Sequence, residues 1–369
     1  MRVRMFLPAL IALALMTIVT VAPAAEPQTE AANAAVQYIE SLQNADGGFT
    51  AFGPDSSPSA SLDAAFALVA AGEDAANVRS PGGATLGDYL SAQAPPPGDA
   101  GALAKFSFGL SAMGLDGAAL IDDMHQYINA GTDGYGDDVF DEVFYVFALV
   151  AADAPRAASA AYLRSIQQAD GGWEFAGGFG SDSNTTAMAL QALLAAGGSP
   201  GEQATRDALA YLSAVQNDDG GFGFTATDDS DANSTALVIQ ALVAAGQVID
   251  AGGPWDRGGH TPIDGLLSFR NAASGAYQYG GEDNAFATYQ AVPALMLAPF
   301  PSLETRIVAG PTPRAPTVVT AAPPATPVVL PKAGDAPPKH GSEPWWPVVA
   351  LAACGAAIVA GGVFVRRAR

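Results

Sequence analysis

Two stretches of this chain are near copies of one another, and that repetition limits the folds open to it more than any other feature. Tyr162 to Gly197 reads YLRSIQQADGGWEFAGGFGSDSNTTAMALQALLAAG, and Tyr211 to Gly246 reads YLSAVQNDDGGFGFTATDDSDANSTALVIQALVAAG. Each opens with a helix of mixed polarity, Tyr162 to Gln168 or Tyr211 to Asn217. Asp170-Gly171-Gly172 and Asp219-Gly220-Gly221 end that helix, because glycine takes the left-handed conformation of a helix terminus without steric cost. A Gly-rich loop then leads to a second helix, Thr185 to Ala196 or Ser234 to Ala245. It is apolar on nearly every side, so it is buried on nearly every side.

The same template recurs four more times. Val36 to Gly72 is one copy, Leu86 to Asp116 a degraded second, and Leu120 to Asp153 a third. In the third, Tyr127-Ile128 starts the outer helix and Asp141 to Ala152 forms the inner one. Leu266 to Leu297 completes the set. Six outer-inner hairpins predict an all-α fold, an (α/α)6 toroid over residues 31–300 with apolar helices inside and polar ones outside. A single hairpin cannot cover its own apolar face, so closing the ring stabilises every member. An open solenoid of the same hairpins is the alternative architecture.

The motif Gln-x-x-Asp-Gly-Gly-aromatic stands at Gln43 with Gly47, Gly48 and Phe49, at Gln167 with Gly171, Gly172 and Trp173, and at Gln216 with Gly220, Gly221 and Phe222. It resembles the prenyltransferase and squalene-oxidase repeat, over roughly residues 31–298. That family holds squalene-type cyclases, protein prenyltransferase β subunits, and the toroids of complement-like and cobalamin-carrier proteins. The resemblance implies the toroid, and it implies that Phe49, Trp173 and Phe222 are structural, packed on the glutamine of their own repeat. The activities of the family are too diverse for the fold to select one.

The two ends read differently. Arg2 and Arg4, the apolar run Phe6 to Val21 and the small residues Ala22 to Ala25 predict an export signal over residues 1–25. Residues 301–344 are rich in Pro, Ala, Thr and Val without helical period, as in an extended stalk. Residues 345–365 form an apolar run long enough to span a bilayer, with Trp345 and Trp346 at one edge and the basic tail 366–369 at the other. Leu330-Pro331-Lys332-Ala333-Gly334 resembles the LPxTG sorting signal, with Ala333 where Thr is usual and a longer gap before the span. Sortase-type wall attachment and simple membrane anchoring both stay open. Either puts the toroid outside the cell, with the C-terminus in the cytoplasm.

Composition bounds the chemistry. The one cysteine, Cys354, lies in the apolar run, so the expected ectodomain has neither disulfides nor thiols. The formal charge of −21 falls to −26 once the five arginines of the two apolar ends are set aside. Nucleic acid needs a basic footprint that such a surface lacks.

Against the activities of the family, the motifs are mostly missing. No DxDD acid string occurs, and Asp228-Asp229-Ser230-Asp231 has the wrong order. His125, His260 and His340 are too far apart in the chain for a zinc set. Gly201-Glu202-Gln203 follows Pro200 rather than the cysteine a thioester requires. Asp137-Asp138-Val139-Phe140-Asp141 matches the DDxxD magnesium-diphosphate pattern of class I terpene synthases, and equally an acid-rich helix start.

Aligning the inner helices brings Asp99, Asp138, Asp182, Asp231 and Glu282 to one mouth of the barrel, followed in three repeats by Asn184, Asn233 and Asn284. These are preferred helix caps, and as a ring they are also candidate ligand contacts. Asp229, Asp231 and Asn233 mimic the first ligands of a calcium loop, with Ser234 in place of the turn glycine and Gln240 in place of the closing Glu. Tyr135, Phe140, Phe144, Trp173, Phe179, Phe222, Phe224, Tyr277 and Tyr279 crowd the same loops or helix starts. The expected function is an extracellular binding module for a glycan, small ligand or protein partner, with calcium the only cofactor considered. A cyclase-like or carbohydrate-active enzyme and a structural spacer are the alternatives.

Overall fold

A computed structural model describes residues 26–94 and 98–303. The export signal, the sorting-like motif 330–334, the apolar run and nearly all of the stalk lie outside these residues. Among the described residues, no helix is long and apolar enough to cross a membrane.

Among the described residues, twelve α-helices alternate between outer and inner positions. The inner ones are α2 (Pro58–Ala70), α4 (Ala100–Ala112), α6 (Val139–Ala151), α8 (Ser183–Ala195), α10 (Ala232–Ala244) and α12 (Ala285–Leu295). The outer ones are α1 (Glu26–Ser41), α3 (Leu86–Ser91), α5 (Ile121–Met124), α7 (Ala157–Ser165), α9 (Gln203–Ala214) and α11 (Pro262–Leu267). Each inner helix packs on the next, and α12 packs back on α2. The ring is closed, and the open solenoid is excluded. Its first and last hairpins also meet directly: α1 lies on α12, and the Gln28 side chain donates to the Leu295 carbonyl at 2.6 Å.

Two inner helices are preceded by small antiparallel hairpins. β1 (Trp173–Glu174) pairs with β2 (Ser181–Asp182), and β3 (Tyr277–Tyr279) with β4 (Glu282–Asn284). Several outer helices start earlier than expected. α7 and α9 begin upstream of Tyr162 and Tyr211, α1 begins at Glu26 rather than near Ala31, and α11 ends where Leu266 was expected to begin it. The capping box of Thr261 and Asp264, with Pro262 in the first turn, sets the start of α11. α5 is only four residues long, and Tyr127-Ile128 follow it.

Glycine turns dock four of the six hairpins on their neighbours. Gly47, Gly171 and Gly220 have φ of 90°, 92° and 84°, the left-handed region expected of them. A Cβ on these glycines would collide with the backbone carbonyls of Thr85, Asp207 and Thr261, on or just before the next outer helix. Gly275, φ 82°, approaches the Ala34 carbonyl of α1 in the same way, so one docking rule also closes the ring.

The glutamines reinforce the docking by hydrogen bonding. Each amide donates to its own turn and to the following repeat: Gln43 to Gly47 and Val78, Gln167 to Gly171 and Ala204, Gln216 to Gly220 and Trp255, all at 2.8–3.1 Å. Phe49, Trp173 and Phe222 are fully buried. Their N–H groups donate to hydroxyls on the inner helix, Ser61, Thr186 and Thr235, and Tyr277 uses Thr288 likewise.

Gly220→Ala should lower stability by about 2–3 kcal/mol, since it adds a clash to the cost of a positive φ. Gly197→Ala, at φ 99° with no neighbour within 4 Å, should cost only about 1 kcal/mol. Urea melts of the two variants check the difference, and equal losses would count against docking at Gly220.

Candidate functional site

The acidic ring is a set of helix caps. Asp99, Asp138, Asp182 and Asp231 precede α4, α6, α8 and α10, and each carboxylate accepts the backbone N–H three residues on, at 2.7–3.0 Å. Ser57 and Asn284 fill this role for α2 and α12, at 3.2 and 2.8 Å. Glu282 is therefore not the sixth member. The strand pairing Tyr277 with Asn284 matches that of Trp173 with Asp182, which puts Asn284 at the cap and leaves Glu282 exposed two residues earlier. Asn184 and Asn233 sit inside the first turn instead, two residues past their caps.

The calcium-like stretch is not assembled as a site. Both oxygens of Asp231 accept from Ser234, and the Asn233 amide donates to Gln290 Oε1 at 2.9 Å. Among the described residues, no three His, Cys, Asp or Glu side chains are placed to hold a metal.

The DDxxD stretch is built into the wall of the third hairpin. Asp141 accepts from the Asp137 N–H at 2.9 Å, and its carboxyl fills the space left by Gly101 and Gly136. Glu142 occupies the position where Ser61, Thr186, Thr235 and Thr288 stand in other repeats, and it accepts the Tyr135 N–H at 2.6 Å. It is fully buried. Burial raises the Asp141 carboxyl, and neighbouring Asp138 raises it further. Burial also pushes Glu142 up to about 7 and Asp182 up to about 6, against the hydrogen bonds each accepts.

The caps set the register of the lumen. Counting two, six and nine residues on from each cap traces one face of each inner helix. The first layer is Ser59, Gly101, Phe140, Asn184, Asn233 and Phe286; the second is Asp63, Lys105, Phe144, Met188, Leu237 and Gln290. The third is Phe66, Phe108, Phe147, Gln191, Gln240 and Pro293.

Members of all six inner helices line a partly open cavity with about 40 Å³ of water-accessible space. Phe140 and Phe286 border it toward the capped mouth. At the far end Phe300, just beyond α12, packs on Phe66, Phe108 and Phe147 with ring centroids 5.3–5.9 Å apart. Of the aromatics noted in the sequence, Phe140 and Phe144 reach this cavity. Tyr135, Trp173, Phe222 and Tyr277 are buried in the walls, and Phe179 is 77% exposed.

One ion pair breaks the apolar lining. Lys105 Nζ lies 2.7 Å from Asp63 Oδ1 and 3.1 Å from Ser59 Oγ, with its charge 5.8 Å from the Phe144 ring centre. The two side chains are only 11% and 14% exposed. Burial raises the Asp63 carboxyl, and Lys105 partly offsets this. Sequence reasoning missed Asp63, Lys105 and Phe300. The available signal was a charge six residues after the cap in helices otherwise apolar at that face.

The raised carboxyls make stability pH-dependent. Below about pH 4 the carboxyls are protonated in both states. As pH rises through 6 and 7, the native state must release protons that the unfolded chain has already lost, so stability falls. The melting temperature should drop by several degrees between pH 5 and pH 8. Glu142→Gln should flatten this slope and melt higher than wild type at pH 8. A wild-type slope of opposite sign would refute this account of the wall.

Residues 3–85 and 142–298 match the family described as Prenyltransferase alpha-alpha toroid domain. The gap falls on the degraded second hairpin and the short α5. A variant of the type II terpene cyclase MstE from Scytonema, in complex with its substrate geranylgeranyl dihydroxybenzoate, aligns with a TM-score of 0.54 at 15% identity. The alignment covers 73% of this chain and 96% of that one. A protein from Actinoplanes aligns with a TM-score of 0.52 at 14% identity, over 73% of this chain and 99% of that one. At such identities the likeness is one of fold. No curated protein matches. With two-thirds of its sequence inside the family and the closed ring of six hairpins in its structure, the chain belongs to the prenyltransferase alpha-alpha toroid domain family.

Proposed function

We propose that this toroid is a surface-displayed receptacle for a small apolar ligand, which it holds in the central cavity without transforming it. The cavity lining carries the reading: apolar side chains from five of the inner helices converge on one chamber, and its only acid is paired with Lys105 of the sixth. Phe140, Phe144 and Phe286 offer faces and edges suited to hydrocarbon, and the family fold houses an isoprenoid compound in the Scytonema cyclase. The capping acids surround the mouth with negative charge, which favours a neutral ligand over a diphosphate. Display outside the cell follows from the export signal, stalk and apolar run of the sequence. The glycan and protein partners expected from the sequence would use the mouth, where the capping carboxylates already accept backbone N–H groups.

A second reading, cyclisation started by proton transfer from Asp63, is favoured by the place of that carboxyl in the cavity and its raised proton affinity. Lys105 opposes it, because a cation at 2.7 Å favours the carboxylate form and so works against Asp63 carrying the proton that the reaction would need. Farnesol separates the two. Added to the full-length chain, it should raise the melting temperature by several degrees and be recovered unchanged by gas chromatography-mass spectrometry. A cyclised product that disappears in Asp63→Asn would overturn the receptacle and establish the enzyme.

A further inference from the structure

Gln191 and Gln240 occupy the same lumen position in the two closest repeats, nine residues after their caps. Both are fully buried. Both amides donate back to the carbonyl four residues earlier, Gln191 to Ala187 and Gln240 to Ala236, each at 3.3 Å. That donation orients the amide, because a flip would set oxygen against oxygen. In each case Oε1 is left as the acceptor. Gln191 Oε1 accepts the Phe300 N–H at 3.0 Å. Gln240 Oε1 has no partner among the described residues, and Gln240 lines the cavity.

A buried acceptor without a donor is costly, and most such groups in folded proteins are satisfied. Gln191 shows what satisfies this position: an N–H delivered from within the lumen. Other polar atoms of the chamber have partners of their own. Lys105 donates to Asp63 and Ser59, the Gln290 oxygen accepts from Asn233, and the Tyr289 hydroxyl donates to the Thr50 carbonyl at 2.6 Å.

We infer that the ligand of this cavity carries a hydroxyl or amine on an apolar body, and that its O–H or N–H donates to Gln240 Oε1. The inference rests on the proposed receptacle and adds its chemical class: a hydrogen-bond donor, rather than a bare hydrocarbon or an ether. Specificity of this kind arises because an analogue without the donor leaves the acceptor buried and unpaired.

Geraniol and geranyl methyl ether share one ten-carbon chain and differ in the donor, so calorimetric titration of both into the full-length chain tests the assignment. Wild type should bind the alcohol about fivefold to tenfold more tightly than the ether. Gln240→Met should bind the two equally, while Gln240→Glu, which keeps an acceptor at that point, should retain the preference. Equal binding of both probes to wild type, or a preference that survives in Gln240→Met, would overturn the inference and leave the apolar receptacle standing. Binding of neither probe would overturn both.

Discussion

The close approach of each glycine turn to the next outer helix is the contact on which the toroid depends. At Gly47, Gly171, Gly220 and Gly275 the backbone bends through positive φ against a neighbouring carbonyl, leaving no room for a side chain. Glutamine amides at three of these junctions then bond the turn and the following repeat together. None of these contacts is large. Their repetition at four of the six hairpins orients each of those hairpins on the next, and the last of them brings the sixth turn onto the first outer helix. The inner helices, apolar on most faces, gain cover on both flanks only in a closed ring.

That same periodicity organises the lumen. Because every inner helix starts from a cap at the same end, the inward positions fall into three layers, and variation among repeats becomes variation around a chamber. The strong repeats contribute Met188, Leu237 and Gln240; the first three contribute phenylalanines and the ion pair. Burying Asp63 and Lys105 carries a desolvation penalty that their mutual attraction, the Ser59 hydroxyl and the Phe144 ring offset. An apolar pair of similar volume would serve packing as well, so their presence in the chamber points to a role in what it admits.

Much of the fold was legible in the sequence. Gly-Gly after Asp marked the turns, uniform apolarity marked the inner helices, and Asp before them marked the caps. Outer helix limits were less clear, since short runs such as Pro262–Leu267 depend on a capping box more than on periodicity. Glu282 was misplaced because spacing in the last hairpin follows strand pairing. The chamber was largely hidden. Asp63 and Lys105 lie in different repeats, 42 residues apart by their numbering, and meet only after closure. Phe300 lies past the last repeat, at the edge of what composition marked as stalk, yet it closes the floor. The DDxxD stretch, Asp137 to Asp141, resembled a metal motif in one dimension, and its last carboxyl is a wall contact in three.

The central claim, an apolar chamber accessible at the heart of a closed ring, is tested most directly by xenon. Xenon enters apolar cavities without needing hydrogen bonds. Crystals of the protein pressurised with the gas should show anomalous density between Phe144, Met188, Leu237 and Phe286. Xenon found only outside the ring, with no atom among these side chains, would contradict the account.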